Sequence, residues 1–559
     1  MNEARLSLKE FTEKYTQILN SLSHDELKSI ISAMAEETLP SDRHTFLNKV
    51  TLHTHHSFPT SNDNNSSESP IIAYEDDILD DIEALKEEIE SRSSDEPDWE
   101  DYDDEDSLSG YDDLVPEISV LLDKVEALYD YGNYALARIA YHRLFAIFSI
   151  EDDYGRGVKI DDIPDIEASE VIAKALRSIY LCETSNTRVN AILEDMHEYR
   201  SHSTITLKDL IGISIEPLPE FDQFLNLWVE ALNSTTDFSE YNDTLLREAV
   251  FLQNGINGLE NLAKTNGVNH PRIFLDWIDE LIKNNKYTDG IVAANYALEV
   301  LAKDKPIRAA IADKLSYCGN QVNKSEIADM GVRISFDAKP DLAKLVLLFH
   351  QSIRLNKHAL LLNAINTIKS HIDKPYHGGY SFEPERPARP TQALLMYAYL
   401  LSGEIGQAFN LARVHKYVGW SSGENPQPIF VAYCLLQTAI SASQSIDKLP
   451  LALQQFLNSK LDSKILAIHK QLNNSLCTPE MIDWCLKVTE DRVIAIVSNQ
   501  HRSAYSRVAL LTAACAEAIK FTNRVDAVAF FTRIQGKYPR HPAFQAEMKK
   551  FIRSITEKV

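Results

Sequence analysis

The chain has 559 residues, 44% of them apolar and 25% charged, with only 18 Gly and 21 Pro. That balance belongs to a globular protein; it excludes collagen, wholesale disorder and a multispanning membrane protein, and the scarcity of turn residues disfavours a sheet-rich fold. The net charge is −26, and most of it is local: Glu75 to Asp113 holds 20 Asp and Glu against Lys86 and Arg92, a net of −18. An acidic chain without a basic patch is not expected to bind nucleic acid directly.

Residues 1–52 show three apolar stripes at helical spacing, the first being Leu8, Phe11, Tyr15, Ile18 and Leu19. Ser7, Ser23 and Ser41 stand where each helix needs a cap, so a small helical module is expected. The start, MNEARLSLKEF, lacks the apolar core of a secretion signal, and a cytoplasmic location is expected. Residues 53–113 read as a flexible acidic linker. THHSFPTSNDNNSSESP, Thr54 to Pro70, has almost nothing apolar to offset chain entropy. Over 71–92, Ile78, Ile82, Leu85 and Ile89 predict one amphipathic helix that docks or self-associates. Residues 93–113 read as a solvated tail. Trp99, Tyr102, Leu108 and Tyr111, interleaved with carboxylates, either lie on a plain spacer or form a docking tail for a basic protein surface.

From Leu114 onward the pattern is helix after helix. LYDYGNYALARIAYHRLFAI places Gly132 at a turn and Ala137, Ala140 and Tyr141 on the facing surfaces of a tetratricopeptide-like hairpin. Weaker copies occur at Asn285 to Ala293, Gly403 to Ala412 and Arg524 to Phe531. The spacing between copies is not constant, so the fold class expected is all-α, an irregular TPR-like solenoid whose halves, 114–370 and 393–559, flank a Pro/Gly-rich loop at 371–392. Tyr376, Tyr380 and Phe382 in that loop, and Trp420 in YVGWSSGENPQP, either anchor a partner or close the core. VALLTAACAEAI, Val508 to Ile519, is too short to cross a bilayer and reads as a buried helix.

LLDKVEALYDYGNYALARIAYHRLFAIF with the following EDDYGRGVKIDDIPD, and the stretch from Arg308 to Gln351, resemble the irregular helical-repeat domain of prokaryotic proteins that often carry a SWIM zinc finger. The resemblance implies a TPR-like array over much of 114–559. The finger itself is missing: no two cysteines are separated by one residue, so its zinc and its nucleic-acid role are not carried over.

Cys182, Cys318, Cys434, Cys477, Cys485 and Cys515 are widely separated and read as buried thiols. HEYRSH, His197 to His202, sets two histidines five apart, about 140° apart on a helix, which suits no shared metal. His53, His55 and His56 form only a compositional tract. Phosphate-binding and nucleophile-elbow motifs are missing. An enzymatic role would need several of His142, His197, His202 and Asp165 gathered in one pocket. The expectation is therefore a non-enzymatic protein-binding scaffold or regulator, with no cofactor and no metal, and with other proteins as partners. The alternative is a regulatory substrate cut in an exposed loop by a partner protease, as in type III-E CRISPR defence.

Overall fold

The computed structural model describes residues 75–93, 111–152, 156–164, 166–234, 239–373, 390–416, 419–441, 448–468, 477–522 and 526–556, with Lys14, Ile18 and 21–23. Among these the regular structure is all helical, 24 α-helices and no strand. The chain separates into two compact units, Met1–Leu259 and Glu260–Val559, a boundary that the sequence reading does not draw. The module expected over 1–52 lies outside the described residues, save for those five positions.

In the first unit, α1 is Glu75–Ser93. Acidic residues at its start and Arg92 in its last turn both oppose the helix dipole. Ile78, Ile82, Leu85 and Ile89 are all at most 4% exposed, packed on α2 (Val115–Asp130) and α3 (Tyr134–Ile147). Burying each such side chain contributes about 1.5–3 kcal/mol before chain entropy is charged. The amphipathic helix of the acidic segment is thus part of the core.

One detail of the acidic segment differs from expectation. Tyr111–Asp113 belong to the folded unit rather than to a solvated tail, while the described helix, Glu75–Ser93, covers the expected 71–92 except for its first four residues, which lie outside the described ones. Tyr111 is 4% exposed. The reason is tertiary: the tyrosine ring finds a core to enter, and Asp113 finds Arg92.

Gly132, at φ +81°, turns α2 into α3, and Ala137, Ala140 and Tyr141 are fully buried at their interface. The unit continues through α4 (Ala168–Cys182), α5 (Arg188–Glu198), α6 (Leu207–Gly212), α7 (Phe221–Ser234) and the greater part of α8 (Glu240–Asn266), whose last residues fall past the boundary at Leu259. Buried polar groups tie these together. Tyr180 Oη–H donates to the Pro219 carbonyl at 2.7 Å, Arg177 donates to the Leu210 and Glu216 carbonyls, and the Glu248 carboxylate accepts from the Leu207 and Lys208 amides at the start of α6. Within α8, Gly255 stands at φ 56°, ψ −142°, a conformation essentially closed to any residue with a Cβ, so the helix is broken there.

The second unit holds α9 (Arg272–Lys283), α10 (Tyr287–Val300), α11 (Arg308–Gln321), α12 (Ser325–Ala338), α13 (Leu342–Arg354) and α14 (Ala359–Asp373). It continues with α15 (Gln392–Ser402), α16 (Ile405–Val414), α17 (Gln427–Ser441), α18 (Leu451–Lys460), α19 (Ser463–Ala467) and α20 (Pro479–Val497). It closes with α21 (Tyr505–Ile519), α22 (Ala527–Gly536), α23 (Pro542–Lys549) and α24 (Ile552–Thr556).

One turn recurs. Gly132, Asn285, Asn323, Asn356, Gly403 and Gln500 all have positive φ. At each, the next residue's amide donates to the carbonyl five positions back: Asn133 to Leu128, Lys286 to Leu281, Lys324 to Gly319, Lys357 to Ser352, Glu404 to Tyr399 and His501 to Ile496, all at 2.8–3.0 Å. These are Schellman closures, which satisfy the last carbonyls of one helix and reverse the chain into the next. Asn285, Asn323 and Asn356 follow one another at intervals of 38 and 33 residues. The sequence reading marks 132, 285 and 403 but passes over 323 and 356.

Small residues set the closest approach. A Cβ on Gly331 would lie 2.6 Å from the Ala312 carbonyl oxygen, and one on Gly319 2.7 Å from the Ala328 amide nitrogen, so α11 and α12 touch backbone to backbone. Val508 to Ile519 forms most of α21 and is almost wholly buried, with Glu517 among its core residues. Glu517 Oε2 accepts from the Leu453 amide at 2.7 Å at the start of α18. No helix among the described residues is long and apolar enough to cross a membrane.

Candidate functional site

Two features of the second unit have the makings of a recognition surface. The first is the row formed by α9, α11 and α13, the opening helices of the three asparagine-turned hairpins. Lys314 of α11 reaches Asp279 of α9 at 2.5 Å, and Lys344 of α13 lies 3.9 Å from Asp313 of α11. Exposed pairs of this kind orient more than they stabilise. Beside them, Tyr317 and Leu347 are 44% and 48% exposed, and the Tyr317 ring packs edge-on to Tyr287 at 6.2 Å.

The second is a cavity of about 570 Å³ at the start of α15, lined in part by Thr391, Gln392, His415, Lys416, Glu424 and Asn425. Its wall is a hydrogen-bonded loop. Trp420 is 5% exposed and its Nε1–H donates to Gln427 Oε1 at 3.0 Å. Gln427 in turn donates to the Ala412 and His415 carbonyls, and Asn425 to that of Lys416. The Arg492 guanidinium lies 4.5 Å from the centre of the Trp420 ring; burial, with Arg507 nearby, pushes its pKa down to about 10. Burial also lowers His415. The lining mixes donors, acceptors and both signs of charge.

The residues singled out from sequence divide three ways. Trp99, Tyr102, Tyr376, Tyr380 and Phe382 lie outside the described residues, as do Leu108, Asp165, His53, His55 and His56. Tyr111 and Trp420 are buried, so neither is an exposed anchor: of the two roles open to Trp420, the structure assigns it the core. The histidines do not form one site. Tyr199 Oη lies 3.5 Å from His142 Nδ1 and donates to Asp195 at 3.2 Å; His202 stacks on Phe145; and His197 packs edge-on to Tyr241. Burial raises the Asp195 carboxyl and lowers the His202 imidazole. Among the described residues, no group of three or more His, Cys, Asp or Glu side chains is placed to hold a metal ion.

The cysteines also need correction. Cys318, Cys434, Cys485 and Cys515 are buried as expected, but Cys182 is exposed and Cys477 half-buried. Cys182 is the last residue of its helix, while Cys477, just before the first turn of α20, packs against the core from its edge. The sequence reading missed the α9–α11–α13 row, yet a signal existed: the dipeptide Asn-Lys recurs at 285–286, 323–324 and 356–357. No protein-family model matches the chain, and no curated protein is similar to it.

Proposed function

We propose that the chain is a non-enzymatic protein-binding scaffold, built as an irregular helical-repeat array of the TPR-like kind found in prokaryotic proteins with SWIM fingers. The observation that carries the reading is the run of three hairpins sharing one turn, with their first helices linked through Asp279–Lys314 and Asp313–Lys344. Stacked hairpins are the unit from which such arrays make a continuous binding face. Tyr317 is of the aromatic type that anchors interfaces, and Leu347 adds exposed apolar surface on the next helix of the row. The acidic balance favours a partner with a basic surface.

The test is purification of tagged wild type and of the Tyr317→Glu, Leu347→Glu double variant from extract of the source cells, followed by mass spectrometry. The reading expects a partner that is retained by wild type and lost from the variant, with circular dichroism unchanged. Equal retention by both moves the contact off this face, and recovery of no partner from repeated extracts counts against a scaffold.

A further inference from the structure

Cys434, in the middle of α17, and Cys477, next to the Thr478 cap of α20, lie 43 positions apart in sequence, yet their Sγ atoms are 2.8 Å apart. A disulfide needs about 2.05 Å, so a sub-ångström shift closes the gap. The two thiols differ in surroundings: Cys434 is 1% exposed, whereas Cys477 is half-buried. A third thiol, Cys485 of α20, is fully buried and near enough to raise the Cys434 thiol further, and Cys515 lies against Thr489 at 3.2 Å.

We propose that Cys434 and Cys477 are a peroxide-oxidisable pair that forms a reversible disulfide between α17 and the start of α20. Cys477 reacts first because it is the member that solvent reaches. Its sulfur attacks hydrogen peroxide: the O–O bond breaks, an S–O bond forms, the sulfur gives up two electrons, and one water leaves. The Cys434 sulfur then attacks the Cys477 sulfenic acid; the S–O bond breaks, the S–S bond forms, and the hydroxyl departs with the Cys434 proton as a second water. Two thiols and one peroxide thus give one disulfide and two waters, and a dithiol reductant reverses the reaction. Burial raises the Cys434 thiol well above its ordinary range, so peroxide meets little thiolate there; what fits Cys434 to the resolving step is proximity, its Sγ already 2.8 Å from that of Cys477.

The test is oxidation of the full-length native protein with stoichiometric hydrogen peroxide, then alkylation, proteolysis and peptide mass mapping. The expected result is a loss of 2 Da, a linked peptide pair containing Cys434 and Cys477, a raised melting temperature, and full reversal by dithiothreitol. Cys477→Ser, which alters a half-buried side chain at a helix entry, should fold and abolish the linkage; Cys182→Ser should leave it intact. A Cys434–Cys485 link, accumulation of sulfinic or sulfonic acid on Cys477, or no reaction at that pair while Cys182 is oxidised would each overturn the assignment.

Discussion

Arg92 grips Asp113 with both terminal nitrogens of its guanidinium, Nη1 to Oδ1 at 2.7 Å and Nη2 to Oδ2 at 2.9 Å, while Nη2 also reaches Glu88. The pair joins the last turn of α1 to the start of the following helical body, so the two ends of the most acidic stretch, 94–110, are held together. The guanidinium keeps the Asp113 carboxyl below its ordinary range. Its contribution is therefore present above the unfolded carboxylate pKa and is lost as pH falls through the folded one. Asp113→Asn should speed hydrogen exchange in the last turn of α1 at neutral pH and remove that acid dependence.

Because α1 is core, removing Glu75 to Asp113 is not a neutral deletion. Ile82→Ala should cost about 2–5 kcal/mol, read as an earlier urea midpoint for the first unit. Replacing only residues 94–110 with a Gly/Ser linker of equal length should leave that midpoint nearly unchanged. A binding partner lost on this second replacement, and not on the first change, would locate docking in the acidic stretch.

The asparagine turns give a backbone test. Asn323 stands at φ +56°, where a Cβ without a local hydrogen-bonding side chain is strained, so Asn323→Ala should destabilise by about 1–2 kcal/mol. Asn323→Gly should be neutral or better. Equal melting temperatures for the two variants would show that the left-handed conformation is not formed in solution.

Glycine has opposite values in two helices. Gly331→Ala gains helix propensity but drives a methyl into the backbone of α11, 2.6 Å from Ala312 O and Ser316 N, and overpacking should win with a net loss of about 1–3 kcal/mol. Gly406, in α16, has nothing within 4 Å of its would-be Cβ, so Gly406→Ala should stabilise by up to about 1 kcal/mol. Thermal melts of the two variants, side by side, separate packing from propensity.

His202 adds a second pH signal to the first unit, nearer neutrality than that of Asp113. Its ring stacks with Phe145 at 5.9 Å, and burial lowers its pKa against the opposing pull of Asp161 and Glu198. With the folded value depressed, the unfolded chain binds the proton first, and stability falls as pH drops below about 6.5 toward the folded pKa. His202→Phe should flatten that segment of a stability-versus-pH curve; an unchanged slope would assign it to another group.

What the sequence determined by itself was class and local form. Few glycines and prolines, apolar residues at helical spacing, and Gly132, Asn285 and Gly403 at helix ends were enough for an all-helical chain and several of its turns, because helix and turn formation depend on neighbours within five residues. The apolar stripe of α1 was equally legible, though not what it would cover. Only the tertiary structure decided that Tyr111 and Trp420 are buried, that Gly331 must lack a side chain, that α9, α11 and α13 stand in a row, and that Cys434 meets Cys477 across 43 residues. Those outcomes depend on which distant helix arrives at a given face, and an acidic run or a lone cysteine reads the same in sequence whether or not a partner from elsewhere in the chain comes to meet it.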